Sequence, residues 1–155
     1  MKKLKIADGI HMLTMNVDDI LFEGIWEIAN GVTLNSYIVQ GEKTAIIDGV
    51  IGWDGIPETL YQNLEEIGVA PKKIDYLIVN HMEPDHSGWI SNFRKIKDDF
   101  TILCTDKAAK MVRSFYGDAN IRVVKEGDTL ALGEGKVLSF HPVTNVPWPD
   151  TMYTY

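Results

Sequence analysis

The chain has 155 residues, 45% hydrophobic and 24% charged, which are ordinary globular values and leave room for one domain rather than two. Its formal net charge is −7, with the acids spread along the chain, which argues against a nucleic-acid partner that would need clustered Lys and Arg. No stretch approaches the ~20 apolar residues of a membrane span, no apolar run follows the basic start as in a signal peptide, and a lone cysteine allows no internal disulfide, which fits a reducing cytoplasm.

Residues 11–17 alternate weakly and predict a first strand, with Asp18-Asp19 turning the chain. Residues 24–28 alternate apolar and polar positions, Asn30-Gly31 is a hairpin signal, and 33–39 reads as the returning strand. His11 at a strand start reads as a structural or surface histidine. After the Gly41-Glu42 turn, 44–48 is a buried strand. Its last residue, Asp48, is either an ordinary turn residue before Gly49 or a hydrogen-bond acceptor beside a metal loop. Pro57 is placed to open a helix whose apolar positions are Leu60, Leu64 and Ile67, with Gly68 ending it. Residues 74–80 form a short apolar run, rich in branched side chains, that predicts a buried strand.

Further along, Trp89, Ile90, Phe93 and Ile96 form an apolar stripe at helical spacing, read as core. Residues 100–104 predict a strand, and Thr105 is a good N-cap for the next helix. Ala108, Met111, Val112 and Phe115 are the expected buried face of that helix, and Gly117 its stop. Cys104 reads as a small buried hydrophobe rather than a nucleophile. Residues 121–124, 129–132 and 136–141 predict three more short strands. A meander of strands followed by strands alternating with helices makes the fold class α/β (α+β).

Between the strand at 74–80 and the stripe at Trp89 lies His81-Met82-Glu83-Pro84-Asp85-His86. Four of its six residues, His81, Glu83, Asp85 and His86, can bind a metal, and they follow the C-terminal end of a strand, where open α/β sheets place their sites. The bland alternative is a polar loop facing water. His81 and Glu83, two apart, could point to one side of an extended loop, with Asp85 and His86 serving a second ion about 3.5–4 Å away. With Cys104 the only thiol, a Cys-rich structural zinc site is excluded.

The pattern His81-x-Glu83-x-Asp85-His86 resembles the metal loop of the flavodiiron proteins (A-type flavoproteins), a branch of the metallo-β-lactamase superfamily. Hydrolase branches usually carry His where Glu83 stands. Residues 34–39, 43–49 and 145–152, the last Asn-Val-Pro-Trp-Pro-Asp-Thr-Met, are also similar to that family's amino-terminal domain. The resemblance implies a metallo-β-lactamase-like αββα sandwich, with residues 1–155 as its first part only. It implies iron, with His81 and Glu83 on one ion and Asp85 and His86 on the other, reducing dioxygen, nitric oxide or both. It also implies FMN on a flavodoxin-like domain, which is expected to be absent from this chain and supplied by a partner chain, a redox donor such as rubredoxin, and homo-oligomers. Where the family has a His before Trp-Pro, this chain has Pro147 before Trp148-Pro149, and His141 does not match a ligand position. The family's bridging Asp and final His have no counterpart in these residues. The chain is thus expected to be an incomplete centre, with one face of its sheet open to water. A metal-dependent hydrolase and a non-catalytic truncated paralogue are the competing readings.

Overall fold

The computed structural model describes residues 1–18, 21–22, 25–50, 58–117, 119–143 and 145–155. Its strands are β1 (Lys2–Ala7), β2 (Ile10–Val17), β3 (Leu21–Phe22), β4 (Trp26–Glu27), β5 (Val32–Gln40), β6 (Thr44–Ile47), β7 (Ile74–Ile78) and β8 (Thr101–Cys104). Four more follow: β9 (Ile121–Val123), β10 (Thr129–Gly133), β11 (Lys136–Pro142) and β12 (Met152–Thr154). The helices are α1 (Glu58–Glu66), the single turn α2 (Pro84–Ser87), α3 (Ile90–Ile96) and α4 (Asp106–Tyr116).

Period-two alternation in the buried strands decides the architecture. Ile46 of β6, Leu77 of β7 and Ile102 and Cys104 of β8 enter one core, while Ala45 and Ile47, Ile78 and Leu103 enter another. Burial on both faces explains why these strands read as continuous apolar runs. They belong to a seven-stranded sheet of order β1-β2-β5-β6-β7-β8-β9, antiparallel as far as β6 and parallel from β6 to β9. On one face Leu60 and Leu64 of α1, Ile90 and Phe93 of α3, and Ala108, Ala109 and Val112 of α4 complete the first core. On the other, Leu130, Leu132, Leu138, Phe140 and Met152 come from a three-stranded sheet, β10-β11-β12. Helices, large sheet and small sheet make three layers of an αββα sandwich. Thr105 caps α4, its hydroxyl accepting the Ala108 N–H at 3.2 Å, and Gly117 ends the helix at φ 75°.

Several expectations need correction. The open face is not on the large sheet, whose second face the small sheet covers. The small sheet's own outer side is open instead, with Val137 57% and Tyr153 55% exposed. The Asn30-Gly31 turn does not join a hairpin: β4 pairs with β3, and β5 pairs back onto β2. Gly24, at the start of that expected hairpin, lies outside the described residues, as do Asp19 and Pro57. Strand β1 escaped the sequence reading because it is an edge strand, exposed along its length. Phe115 is 67% exposed rather than buried. At about 100° per residue, Ala108, Ala109, Val112 and Tyr116 centre the buried stripe on the side of Val112 away from Phe115.

Candidate metal centre

The parallel strands end level with one another. Asp48 N–H donates to Ile78 O and Val79 N–H to Leu103 O, both at 2.9 Å, so the chain leaves the sheet at a fixed place. Asn80 N–H then donates to Asp48 Oδ1 at 2.8 Å. His81 and Glu83 follow outside any helix or strand, with His81 Nε2 3.2 Å from Glu83 Oε2. Pro84 starts α2, and the N–H groups of His86 and Ser87 both donate to Glu83 O at 3.0 Å. Asp85 and His86 are therefore on a helical turn and not in the loop expected from sequence. His86 Nε2 lies 3.6 Å from Asp85 Oδ2. The two imidazole rings, 5.0 Å between centroids, bring the pairs side by side.

His86 is held from behind. Its Nδ1 lies 2.9 Å from Gly49 O, and a carbonyl only accepts, so Nδ1 carries a proton and Nε2 is the ring nitrogen that faces Asp85. Gly49 N–H returns a bond to His86 O at 2.9 Å, and Trp89 Nε1–H donates to the same oxygen at 3.0 Å. A Cβ on Gly49 would stand 1.8 Å from Trp89 Nε1, so no other residue fits there. Asp48 is buried at φ 52°, with its carbonyl accepting Ser36 Oγ–H at 2.7 Å. Of its two readings, hydrogen-bond acceptor beside the metal loop is the one that the Asn80 contact supports. Burial pushes its carboxyl above the usual carboxylate range, while His86 and His81 pull it the other way.

The donor chemistry suits a metal. Two atoms each about 2.1 Å from one ion, at an angle near 90–100°, stand about 3.0–3.2 Å apart, and the His81–Glu83 separation matches. Asp85 Oδ1 is buried with no hydrogen-bond partner, an oxygen that a cation would satisfy. The four donors nonetheless form two pairs: among the described residues no three His, Cys, Asp or Glu side chains converge on one point. Each half-shell fits one ion incompletely.

The segment after β11 closes over this site. Met152 N–H donates to Asn80 O at 2.8 Å, Thr154 Oγ1–H to Asn80 Oδ1 at 2.7 Å, and Met82 N–H to Asp150 Oδ2 at 2.9 Å. A cavity of about 220 Å³ results, lined by Asp48, Asn80, His81, Pro147, Thr151 and Met152 among others. Pro147 thus stands beside His81 and offers no donor atom. His141 is not part of the centre: its Nδ1 lies 2.7 Å from Glu126 Oε1 and its Nε2 3.1 Å from Ser139 Oγ. Sequence reasoning missed Gly49 and Asp150. The burial of an acidic residue in a Pro-rich turn leaves no periodic signal.

The profile described as ODP family beta lactamase matches residues 32–155. Diflavin flavoprotein A 1 of Synechocystis sp. is 39% identical over 129 residues, 83% of this chain and 22% of that protein. A nitric oxide reductase of Moorella thermoacetica is 36% identical over 97% of this chain and 38% of its own length. The solved rubredoxin oxygen:oxidoreductase of Desulfovibrio gigas superposes with a TM-score of 0.89 at 30% identity, covering 99% of this chain and 38% of that one. The chain therefore spans less than two-fifths of each of these relatives.

Proposed function

The chain belongs to the ODP family of β-lactamase-like domains, whose members here are flavodiiron proteins, and from that premise we propose that residues 1–155 are the amino-terminal, iron-binding module of an oxidoreductase that reduces dioxygen, nitric oxide or both. The observation that carries the reading is the pairing of His81 with Glu83 and of Asp85 with His86, side by side at the ends of parallel strands. In this reading His81 and Glu83 hold one iron, and Asp85 and His86 the other. Glu83 matters to the choice of metal, because a carboxylate adds charge and favours harder ions than an all-imidazole set.

Iron bound there would supply the redox chemistry. The chain's own residues orient and enclose it. Gly49 O fixes the His86 proton at Nδ1, Asp48 ties down the backbone just before His81, and buried Met82 and Trp89 keep water from the underside of the loop. FMN on a flavodoxin-like domain, a rubredoxin-like electron donor, a homo-oligomeric state and a cytoplasmic setting complete the proposal. Among the described residues no helix is long and apolar enough to cross a membrane.

Metal analysis after anaerobic loading tests this directly. The protein should take up iron, with clearly fewer than two tightly held ions per chain, and His81→Ala or Glu83→Ala should abolish uptake. Zinc retained in preference to iron, together with ester hydrolysis, would replace this reading with that of a hydrolase.

A further inference from the structure

We infer that Asp150 is a positioning residue of the metal centre, whose buried carboxylate locks the spacing of His81 and Glu83 through Met82 and places negative charge behind them. The inference rests on the metal-binding reading above.

Met82 is the single residue between the two donors of the first pair, and it is 3% exposed. Its N–H donates to Asp150 Oδ2 at 2.9 Å, and its carbonyl accepts Ser87 Oγ–H at 3.1 Å. Both of its backbone polar groups are held by side chains, so the residues on either side cannot rotate independently. Asp150 is itself anchored. Its carbonyl accepts Thr105 Oγ1–H at 2.9 Å, and the same hydroxyl caps α4. A chain of buried contacts therefore runs from a helix end to the middle of the metal loop.

The chemistry of Asp150 is more than this anchoring requires. It is fully buried, its Oδ1 has no hydrogen-bond partner, and among the described residues no Lys or Arg pairs with it. A carboxylate so placed costs the metal-free fold, since burying a charge is unfavourable unless it is paired. An amide of the same shape would accept the Met82 N–H and bury an uncharged NH2 in place of Oδ1, a smaller cost than burying a charge. The negative charge becomes useful when a cation sits in the adjacent loop, because charges attract strongly in a low-dielectric surround. A residue serving the fold alone would affect stability and metal affinity in the same direction. A residue serving the metal should move them apart.

Asp150→Asn separates the two roles, keeping shape and an oxygen acceptor while removing charge. The metal-free melting temperature and the anaerobic ferrous-iron affinity would be measured on the 155-residue protein, with the parent, His81→Ala and Asp150→Ala alongside. Asp150→Asn should melt no lower than the parent yet bind ferrous iron about tenfold more weakly, or worse. Asp150→Ala, which leaves the Met82 N–H without its acceptor, should lose both stability and affinity. Parent-like iron affinity in Asp150→Asn overturns the inference, and binding that is lost in His81→Ala would leave the metal reading standing. An Asp150→Asn protein that unfolds, or that loses stability along with affinity, assigns the residue to the fold and also overturns it. Absence of iron binding in the parent, or parent-like binding in His81→Ala, overturns both.

Discussion

Gly49→Ala should disturb both the core and the proposed metal site. The φ of Gly49 lies outside the left-handed region, so the backbone tolerates alanine and the requirement is steric. The added Cβ would fall 1.8 Å from Trp89 Nε1, 2.3 Å from Cδ1 and 2.5 Å from Cε2. Trp89 cannot swing aside cheaply: it is fully buried and packs on Phe93 at 5.0 Å and edge-on to Tyr61 at 6.5 Å. Overpacking of this kind costs about 1–3 kcal/mol. Displacing the indole also threatens its bond to His86 O and the reciprocal Gly49–His86 bonds, at about 1 kcal/mol each. Together the loss is about 2–6 kcal/mol, and at about 2–4 °C per kcal/mol the melting temperature should fall by roughly 4–24 °C. Scanning calorimetry measures that fall. Iron titration of the folded mutant should show weakened binding, because His86 loses the carbonyl that fixes its Nδ1 proton. A Gly49→Ala protein melting within about 2 °C of the parent, with iron binding intact, would refute the argued packing of Trp89 against Gly49.

Two further outcomes follow from burial. Phe115→Ser should change stability by no more than about 0.5 kcal/mol in urea unfolding, whereas Phe93→Ala, fully buried, should cost about 3–5 kcal/mol. Burial pushes the Cys104 thiol up to about 12, above the ~8.5 of an unfolded chain, so the stability it contributes is complete below about pH 8.5 and is lost as pH rises toward 12. Unfolding free energy measured between about pH 9 and 11 should fall less steeply in Cys104→Ala than in the parent, by up to about 1.4 kcal/mol per pH unit.

What the sequence made legible is what burial makes repetitive. The runs at β6, β7 and β8 are apolar on both faces because both faces are covered, and Leu60 and Leu64 keep helical spacing because α1 packs by that edge. The hexapeptide stood out because four donors in six residues are rare without a shared purpose. Other features depend on partners far away in sequence. The pairing of β5 with β2 instead of β4 is set by eight residue pairs across an excursion, which no local turn signal encodes. Phe115 is apolar like its neighbours, and only the centring of the stripe on Val112 leaves it outside. Asp150 sits 68 positions from Met82, so its contact with the hexapeptide emerges only when the fold brings the turn against it.

Replacing Pro147 with histidine tests how far the incomplete first half-shell limits the protein. Pro147 lines the same cavity as His81, and its segment is pinned to the metal loop through Asn80 and Asp150. An imidazole introduced there would join His81 and Glu83 as a two-His, one-carboxylate set, which suits ferrous iron. Pro147→His should therefore bind iron more tightly and bring stoichiometry toward one ion per chain. Turnover should not follow. Asp85 and His86 still form a pair without a third donor among the described residues, no carboxylate is added to bridge the two half-shells, and the substitution supplies no electrons. Oxygen and nitric oxide consumption, followed with electrodes, should stay near background. Unchanged iron affinity in Pro147→His would show that position 147 does not reach the His81–Glu83 ion. Sustained consumption with an added reductant, in parent or mutant, would show that two imidazole–carboxylate pairs suffice for the chemistry, or that a second chain completes them.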